Sequence, residues 1–205
     1  FLNFVSAAHA RGIKVFIDYV AYGISHNSIW YQDSYNRPQS IYDTWLAYTN
    51  SANTTYLGSV YNTWNGDSVG FIHWNLNNAI VTNLVTGWCL GWLDPDSNGN
   101  PADGVDGFRL DHVSAYNATE SPWGYDIAWW EDWKADLLAV NPDAFTFAEQ
   151  ADWGSHGADL LSAHDAAMTK RLQAGLAARG GVLAALLARR GVTGPRNSME
   201  GKAGM

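Results

Sequence analysis

A chain of 205 residues with a formal charge of −8, eleven Trp, ten Tyr and seven Phe lacks the basic surface that nucleic acid requires, and suits a neutral ligand that stacks on aromatic rings, such as a sugar. No apolar run is long enough to cross a membrane as a helix, and no membrane partner is expected. The single cysteine, Cys89, has no internal partner for a disulfide and is expected as a packed thiol.

Residues 1–11 carry the apolar spacing of a helix that ends at Gly12, with His9 expected at the surface. Phe1 is not an initiator Met, so the natural start and any signal peptide are expected upstream. Ile13 to Val20 follows as an apolar strand with one acid, Asp18, near its end. From Ala21 to His73 the composition turns to Asn, Ser, Thr, Tyr and Trp without helical periodicity. Thr54–Gly58 and Ser68–Ile72 suggest short strands, and Asn65-Gly66 a turn. More than fifty residues of this kind are too many for an ordinary loop and indicate a functional insertion. Trp30, Tyr31, Trp45 and Trp64 are its candidates for stacking on sugar rings, with a small aromatic core as the other reading.

A helix is expected from Leu76 to Leu93, capped by Asn75 or Asn77, with Leu76, Ile80, Leu84, Trp88 and Trp92 as its stripe. The loop after it, Asp94 to Asp103, sets oxygen side chains at alternate positions around Gly99. Asp94, Asp96, Asn98 and Asp103 are therefore candidate ligands for calcium, although Val105 stands where an EF-hand loop needs its Glu, and an Asx-rich turn accounts for the same residues without metal. Gly104 to Val113 is the central strand, with Arg109 and Asp111 projecting to one face while Phe108 and Leu110 pack behind. Strict alternation sends His112 to the face opposite Asp111. Tyr125 to Val140 reads as a helix with Ile127, Trp130, Trp133, Leu137 and Val140 on one face, closed by Asn141-Pro142. Ala144 to Gln150 is a second strand ending in an acid, Glu149, with Trp153 just beyond it. Two apolar parallel strands, each ending in a carboxylate and separated by a helix, describe part of a β/α barrel, in which chemistry sits at the C-terminal strand ends. Two carboxyls there are what glycosidic cleavage needs.

The run Gly107-Phe108-Arg109-Leu110-Asp111, followed by Phe147-Ala148-Glu149 on the next strand, resembles glycoside hydrolase family 13, the α-amylase family, over roughly residues 1–170. The resemblance implies an α/β fold: a partial (β/α)8 barrel, about strands 3 to 6, with an inserted domain B. It divides the chain into 1–20, the end of barrel helix 2 and strand 3; 21–74, the domain B-like insertion; and 75–169, helix 3 to the start of strand 6. It implies Asp111 as nucleophile, Glu149 as acid/base, Arg109 keeping Asp111 ionised and Asp18 bracing Arg109. It also implies an α-glucan substrate, a structural calcium and an extracellular setting.

The sequence departs from the family pattern in four places. Tyr22 and Gly23 replace the Asn-His after the strand-3 acid, leaving Tyr22 and His26 as candidate sugar contacts, together with Trp153. Phe71–Asn77 keeps only Leu76 and Asn77 of the usual Pro-Asp-Leu-Asn, and Ser114 and Ala115 stand for Lys-His. Ser162–Asp165 follows Glu149 too closely to supply the third carboxylate of strand 7, so residues 159–167 are read as the approach to strand 6. A complete barrel takes about 250 residues, so the chain is expected to be a piece.

Residues 170–205 form a fourth segment, with seven of the twelve basic residues, one acid and no aromatic. Leu172 to Arg190 has the pattern of a basic helix, and a shifted reading frame accounts for the same change of composition. The expectation for function is retaining hydrolysis of α-glucosidic bonds by a parent enzyme. The alternatives are an α-glucan transglycosylase, a non-catalytic glucan binder, or a fragment without function.

Overall fold

The computed structural model describes residues 1–113, 119–150, 164 and 166–169. The chain divides at Thr169/Lys170, where the composition changes, and every described residue belongs to the first unit. The expected helix 172–190 lies outside the described residues.

Helix α1, Leu2–His9, ends where Gly12 takes a positive φ of 69°. Strand β1, Phe16–Tyr19, is shorter than the apolar run predicted. Strands β5 (Gly107–Val113), β6 (Phe145–Gln150) and β7 (Ala166–Thr169) complete a four-stranded sheet in the order β1-β5-β6-β7, every pair parallel. Helix α3, Ala79–Leu93, precedes β5, and α4, Ile127–Val140, links β5 to β6. This is a mixed α/β fold with a parallel sheet, consistent with part of a β/α barrel. β7 lies beside β6, where the residues approaching strand 6 were expected to lead.

Between β1 and α3 runs the segment read above as an insertion, built on an antiparallel sheet in the order β2-β4-β3, with β2 Gly23–Ser25, β3 Gly58–Asn62 and β4 Ser68–His73. The Ser68–Ile72 strand is where it was predicted, whereas the other begins at Gly58 instead of Thr54. The insertion also holds a helix that periodicity missed: α2, Ile29–Ser34, is six residues long and starts where the Ser28 side chain accepts from the Tyr31 amide. So short a helix shows no repeat and is marked only by its cap.

Residues on the sheet's helix side, among them Tyr19, Phe108 and Leu110, are covered by the two long helices. Trp133 of α4 stacks parallel to Tyr19 at 6.0 Å and meets Phe108 edge-on at 5.9 Å. In α3 the buried stripe is Val81, Val85, Cys89 and Leu93, one residue on from the predicted one, and Ile80, Trp88 and Trp92 are exposed. Both stripes are apolar at four-residue spacing, so periodicity alone could not choose between them. The helix is capped by Asn78, not Asn75 or Asn77. Cys89 is buried as expected, and burial pushes its thiol up to about 12.

At the N-terminal end of the sheet Asp106 ties β1 to β5. Its carboxylate accepts from the Val15 amide at 2.7 Å, from Lys14 Nζ at 2.7 Å and meets His9 Nε2 at 2.9 Å, so His9 is a tertiary contact and not a plain surface residue. Gly107 enters β5 at φ 152°, with space for a Cβ closed by the Phe145 carbonyl oxygen 1.8 Å away.

Candidate active site

Parallel register turns the sequence spacing into a site. Asp18 of β1 pairs with Arg109 of β5, and Arg109 pairs with Phe147 of β6. Paired residues share a face and side chains two apart return to it, so Asp18, Arg109, Asp111 and Glu149 converge at the C-terminal ends of three adjacent strands. Arg109 is the hub. Its Nη1 donates to Asp18 Oδ1 at 2.8 Å and to Asp111 Oδ1 at 2.7 Å, and its Nη2 donates to Glu149 Oε2 at 2.7 Å. Burial pulls the guanidinium down, but its hydrogen bonds to Asp18 and Asp111 outweigh that and hold it above its ordinary range. Asp111 and Glu149 occupy different nitrogens of one guanidinium, which puts the two carboxylates a few ångström apart.

The strand is irregular at this point. Leu110 pairs with Ala148 and Val113 with Gln150, so Asp111 and His112 together face the single residue Glu149. That is the two-against-one count of a β-bulge. His112 takes a φ of 49°, uncommon for a residue with a Cβ. Contrary to strict alternation, His112 is not packed away behind the sheet: its side chain is half exposed and its ring lies 4.9 Å from that of Tyr22. Tyr125, buried and with its ring 6.2 Å from that of Tyr22, donates its hydroxyl to the His112 carbonyl at 2.7 Å.

Tyr22 joins the site. Its hydroxyl is pushed up to about 12, first by burial and then by the negative charge of Asp111. Behind it lies a group that sequence reasoning missed. Glu120 is buried, with Oε1 3.4 Å from His112 Nε2 and 3.8 Å from His73 Nε2, and Oε2 is buried without a hydrogen-bond partner. Burial drives His73 down to about 4, with His112 adding to the fall and Glu120 opposing it. The only sequence signal was an acid and two histidines in otherwise weakly charged segments.

His26 lies elsewhere. It stacks on Tyr31 at 4.2 Å, its amide donates to the Gly70 carbonyl, and its ring fills the space that a side chain at 70 would need. Its recorded contacts are within the insertion and none is with the Arg109 group. Trp30 packs with Trp45, Trp74 and Trp88, and Tyr31 is buried, whereas Trp64 is exposed. Trp153, Ser114, Ala115 and Asp165 lie outside the described residues.

In the loop before β5, Asp94, Asp96 and Asp103 each offer an oxygen within 4.8 Å of the others, an arrangement that could hold a metal ion. Asp103 Oδ1 is buried without a hydrogen-bond partner. Asn98 is engaged otherwise: its Nδ2 donates to Asp96 Oδ2 at 2.7 Å and its Oδ1 accepts from the Asn100 amide at 2.7 Å.

Comparison with known proteins gives two family matches that overlap over residues 134–166. The family model for the α-amylase catalytic domain matches residues 1–166, and that for the MmgE/PrpD N-terminal domain matches residues 134–205. Alpha-amylase 3 of Dictyoglomus thermophilum is 26% identical over 164 residues, covering 74% of this chain and 29% of that protein. An amylopullulanase of Thermoanaerobacterium saccharolyticum is 31% identical over 186 residues, covering 78% of this chain and 13% of that protein. The chain thus spans less than a third of the length of either relative. Among solved structures, the α-amylase from H. orenii superposes with a TM-score of 0.62 at 22% identity, over 84% of this chain and 36% of that one. A cyclomaltodextrinase gives 0.60 at 19% identity, over 82% and 26%.

Proposed function

Since the chain belongs to the α-amylase catalytic-domain family, we propose that it carries the nucleophile and the acid/base of a retaining α-glucosidase site that acts on starch-like α-glucans in a parent enzyme. The observation that carries this reading is the Arg109 hub, which gathers three carboxylates at the C-terminal ends of neighbouring parallel strands. In this reading Glu149 enters the cycle protonated on Oε1, with Oε2 accepting from Arg109, and gives that proton to the glycosidic oxygen as the bond to the anomeric carbon breaks. Asp111 attacks that carbon and forms a glycosyl ester. Glu149, now a carboxylate, takes a proton from water, and the hydroxide so generated displaces Asp111 and restores both groups. Arg109 orients the Asp111 carboxylate for attack, and Asp18 holds Arg109 from the neighbouring strand. Tyr22, beside Asp111, contacts the sugar being cleaved. A sugar hydroxyl in place of water makes the same site a transglycosylase.

We assign the three-stranded insertion to domain B and the parallel sheet to barrel strands 3 to 6. The cluster of Asp94, Asp96 and Asp103 fits calcium, because hard oxygen donors converge there and Asp103 Oδ1 has no other partner. When bound, calcium would offset two of the three negative charges and fix the entry to β5. The loop precedes that strand while Asp111 is near its other end, so the ion's part is structural.

The test is reducing-sugar release from soluble starch by the parent enzyme that contains this chain and by its Asp111→Asn variant. Hydrolysis by the parent and its loss in the variant is the expected result. Equal release by both would refute Asp111 as nucleophile. The four parallel strands among the described residues favour one second reading, a chain that holds glucan without cleaving it. Starch binding without release in either protein would select it.

A further inference from the structure

Glu120 is buried, 5% exposed, and has no part in the steps above. A carboxylate taken out of water is costly unless it is paired and its oxygens are hydrogen-bonded. Here Oε2 has no hydrogen-bond partner, while Oε1 lies 3.4 Å from His112 Nε2 and 3.8 Å from His73 Nε2. Packing alone does not call for an acid at this position, since an apolar side chain would fill the space without that cost. Nor do the three side chains converge as metal ligands. Among the described residues only Asp94, Asp96 and Asp103 bring three ligand atoms within 4.8 Å of one another. The reason for Glu120 must therefore be sought in the histidines it faces.

The two differ in what they can reach. His73 is buried at the end of β4, where its amide donates to the Leu57 carbonyl and its carbonyl accepts from the Ala47 amide, each at 2.9 Å. Burial drives its ring down to about 4, so at neutral pH it is an uncharged part of the packing. His112 is half exposed, follows Asp111 directly in the bulge, and sets its ring 4.9 Å from that of Tyr22. A carboxylate facing Nε2 places the proton of a neutral imidazole on that nitrogen and leaves Nδ1 as an acceptor. Both partners are firmly mounted. The Tyr125 hydroxyl holds the His112 carbonyl. Glu120 opens a single 3-10 turn, Ser121–Trp123, whose Trp123 carbonyl accepts from the Leu76 amide at 2.7 Å and whose Pro122 carbonyl accepts from Asn77 Nδ2 at 2.8 Å. An oriented imidazole, open to solvent and one residue from the nucleophile, is placed to meet whatever Asp111 meets.

We propose that His112 is a further substrate-binding residue, its Nδ1 accepting a hydrogen bond from a hydroxyl of the glucosyl unit at Asp111, and that Glu120 is the positioning residue that orients its ring. This deepens the reading above and rests on it. At 3.4 Å the contact between Glu120 and His112 is longer than a hydrogen bond, and it shortens when sugar displaces water from the ring, as such contacts do on ligand binding. The pair supplies orientation and no proton, so bond cleavage itself stays with Asp111 and Glu149.

The experiment is steady-state hydrolysis of maltoheptaose by the parent enzyme and by its His112→Gly, His112→Phe, Glu120→Gln and His112→Gly/Glu120→Gln variants, with and without added imidazole. Gly suits the φ of 49° at position 112 and leaves a space beside Glu120, whereas Phe keeps a ring against Tyr22 but no nitrogen. Thermal melts check that each variant folds, and either His112 variant carries the test alone. In both, kcat/KM should fall about ten- to a hundredfold, the loss of one oriented hydrogen bond to substrate. Free imidazole should restore part of the rate in His112→Gly and none in His112→Phe. Glu120→Gln should lower kcat/KM by about three- to tenfold, and should add nothing once His112 is Gly, because it acts through the ring. Wild-type kcat/KM in a folded His112 variant would overturn the contact. A loss in His112→Gly that imidazole leaves untouched would assign the effect to the backbone of the bulge and overturn it too. Equal losses from Glu120→Gln in the two backgrounds would remove Glu120 as the positioning residue. A parent that does not cleave maltoheptaose would refute the α-glucan reading itself, an outcome distinct from the other three.

Discussion

Replacing Arg109 with Met keeps an unbranched apolar stem and removes the head that three carboxylates share. The three bonds are not equal. Glu149 is 15% exposed, and its charge-assisted bond is worth about 2 kcal/mol. Asp111 is 32% exposed, which reduces its share to about 1 kcal/mol. Asp18 is 65% exposed, and solvent screening leaves its share near zero. Arg109→Met should therefore destabilise the fold by about 3 kcal/mol, read as a lower urea midpoint at unchanged slope. Arg109→Lys keeps the charge but cannot fork across two strands, so it should recover less than half of the loss. The mechanism is checked by a double-mutant cycle with Glu149→Gln, which should give a coupling energy of about 1–2 kcal/mol. Stability of Arg109→Met within about 0.5 kcal/mol of the wild type, or a coupling energy near zero, would refute the hub as the organising contact of the site.

Three further outcomes are expected. Gly107→Ala would set a Cβ 1.8 Å from the Phe145 oxygen and should cost about 3 kcal/mol, whereas Gly87→Ala, in open space on α3, should gain up to about 1 kcal/mol; thermal melts that rank the two alike would contradict the packing argument. His73 sits at about 4 in the fold against about 6.5 unfolded, so the unfolded chain binds more protons between those values and stability must fall as pH drops through that window, by about 3 kcal/mol in all. Denaturation across that range should show a shallower decline in His73→Gln, and an identical decline would remove His73 as the cause. Calcium at about a hundred times its dissociation constant should stabilise the chain by about 2.7 kcal/mol, an effect that Asp103→Asn abolishes; melting curves that ignore calcium and chelator would rule the ion out.

Arg109 and Asp111 on one face, with Glu149 at the end of the next strand, were legible from alternation and from two apolar strands that each end in an acid, whereas the place of Asp18 beside Arg109 was implied by the family resemblance. The alternation of strands with long helices was legible as well, since periodicity over fourteen or fifteen residues is a strong signal. What escaped depended on choices that periodicity does not make. The α3 helix carries two apolar stripes, and the one holding Trp88 and Trp92 is the larger yet is exposed. His26 stands near the expected place in the chain, but Gly70 opens a slot for its ring inside the insertion. The Glu120–His73–His112 group joins the insertion, the loop after β5 and β5 itself, and nothing local to any of the three announces the other two.

The bulge at Asp111–His112 was hidden as well, and it bears most directly on the site. A glycine at 112 would have signalled a left-handed residue; a histidine there does not. A side chain in that conformation carries strain that persists only where surrounding contacts over-determine it. Here they do: the Tyr125 hydroxyl holds the His112 carbonyl, Glu120 lies against its imidazole, and the Tyr22 ring packs beside it. The two ends of β5 are accordingly built for different purposes. Its entry is pinned by Asp106 and by the close approach of Gly107 to Phe145, which fixes register. Two residues before its end the ladder is broken, and the extra residue brings His112 and Asp111 to the same side of the strand's last turn, within reach of Tyr22. An uninterrupted strand would set His112 behind the sheet and leave Tyr22 and Glu120 without the contact that couples the inserted segment to Asp111.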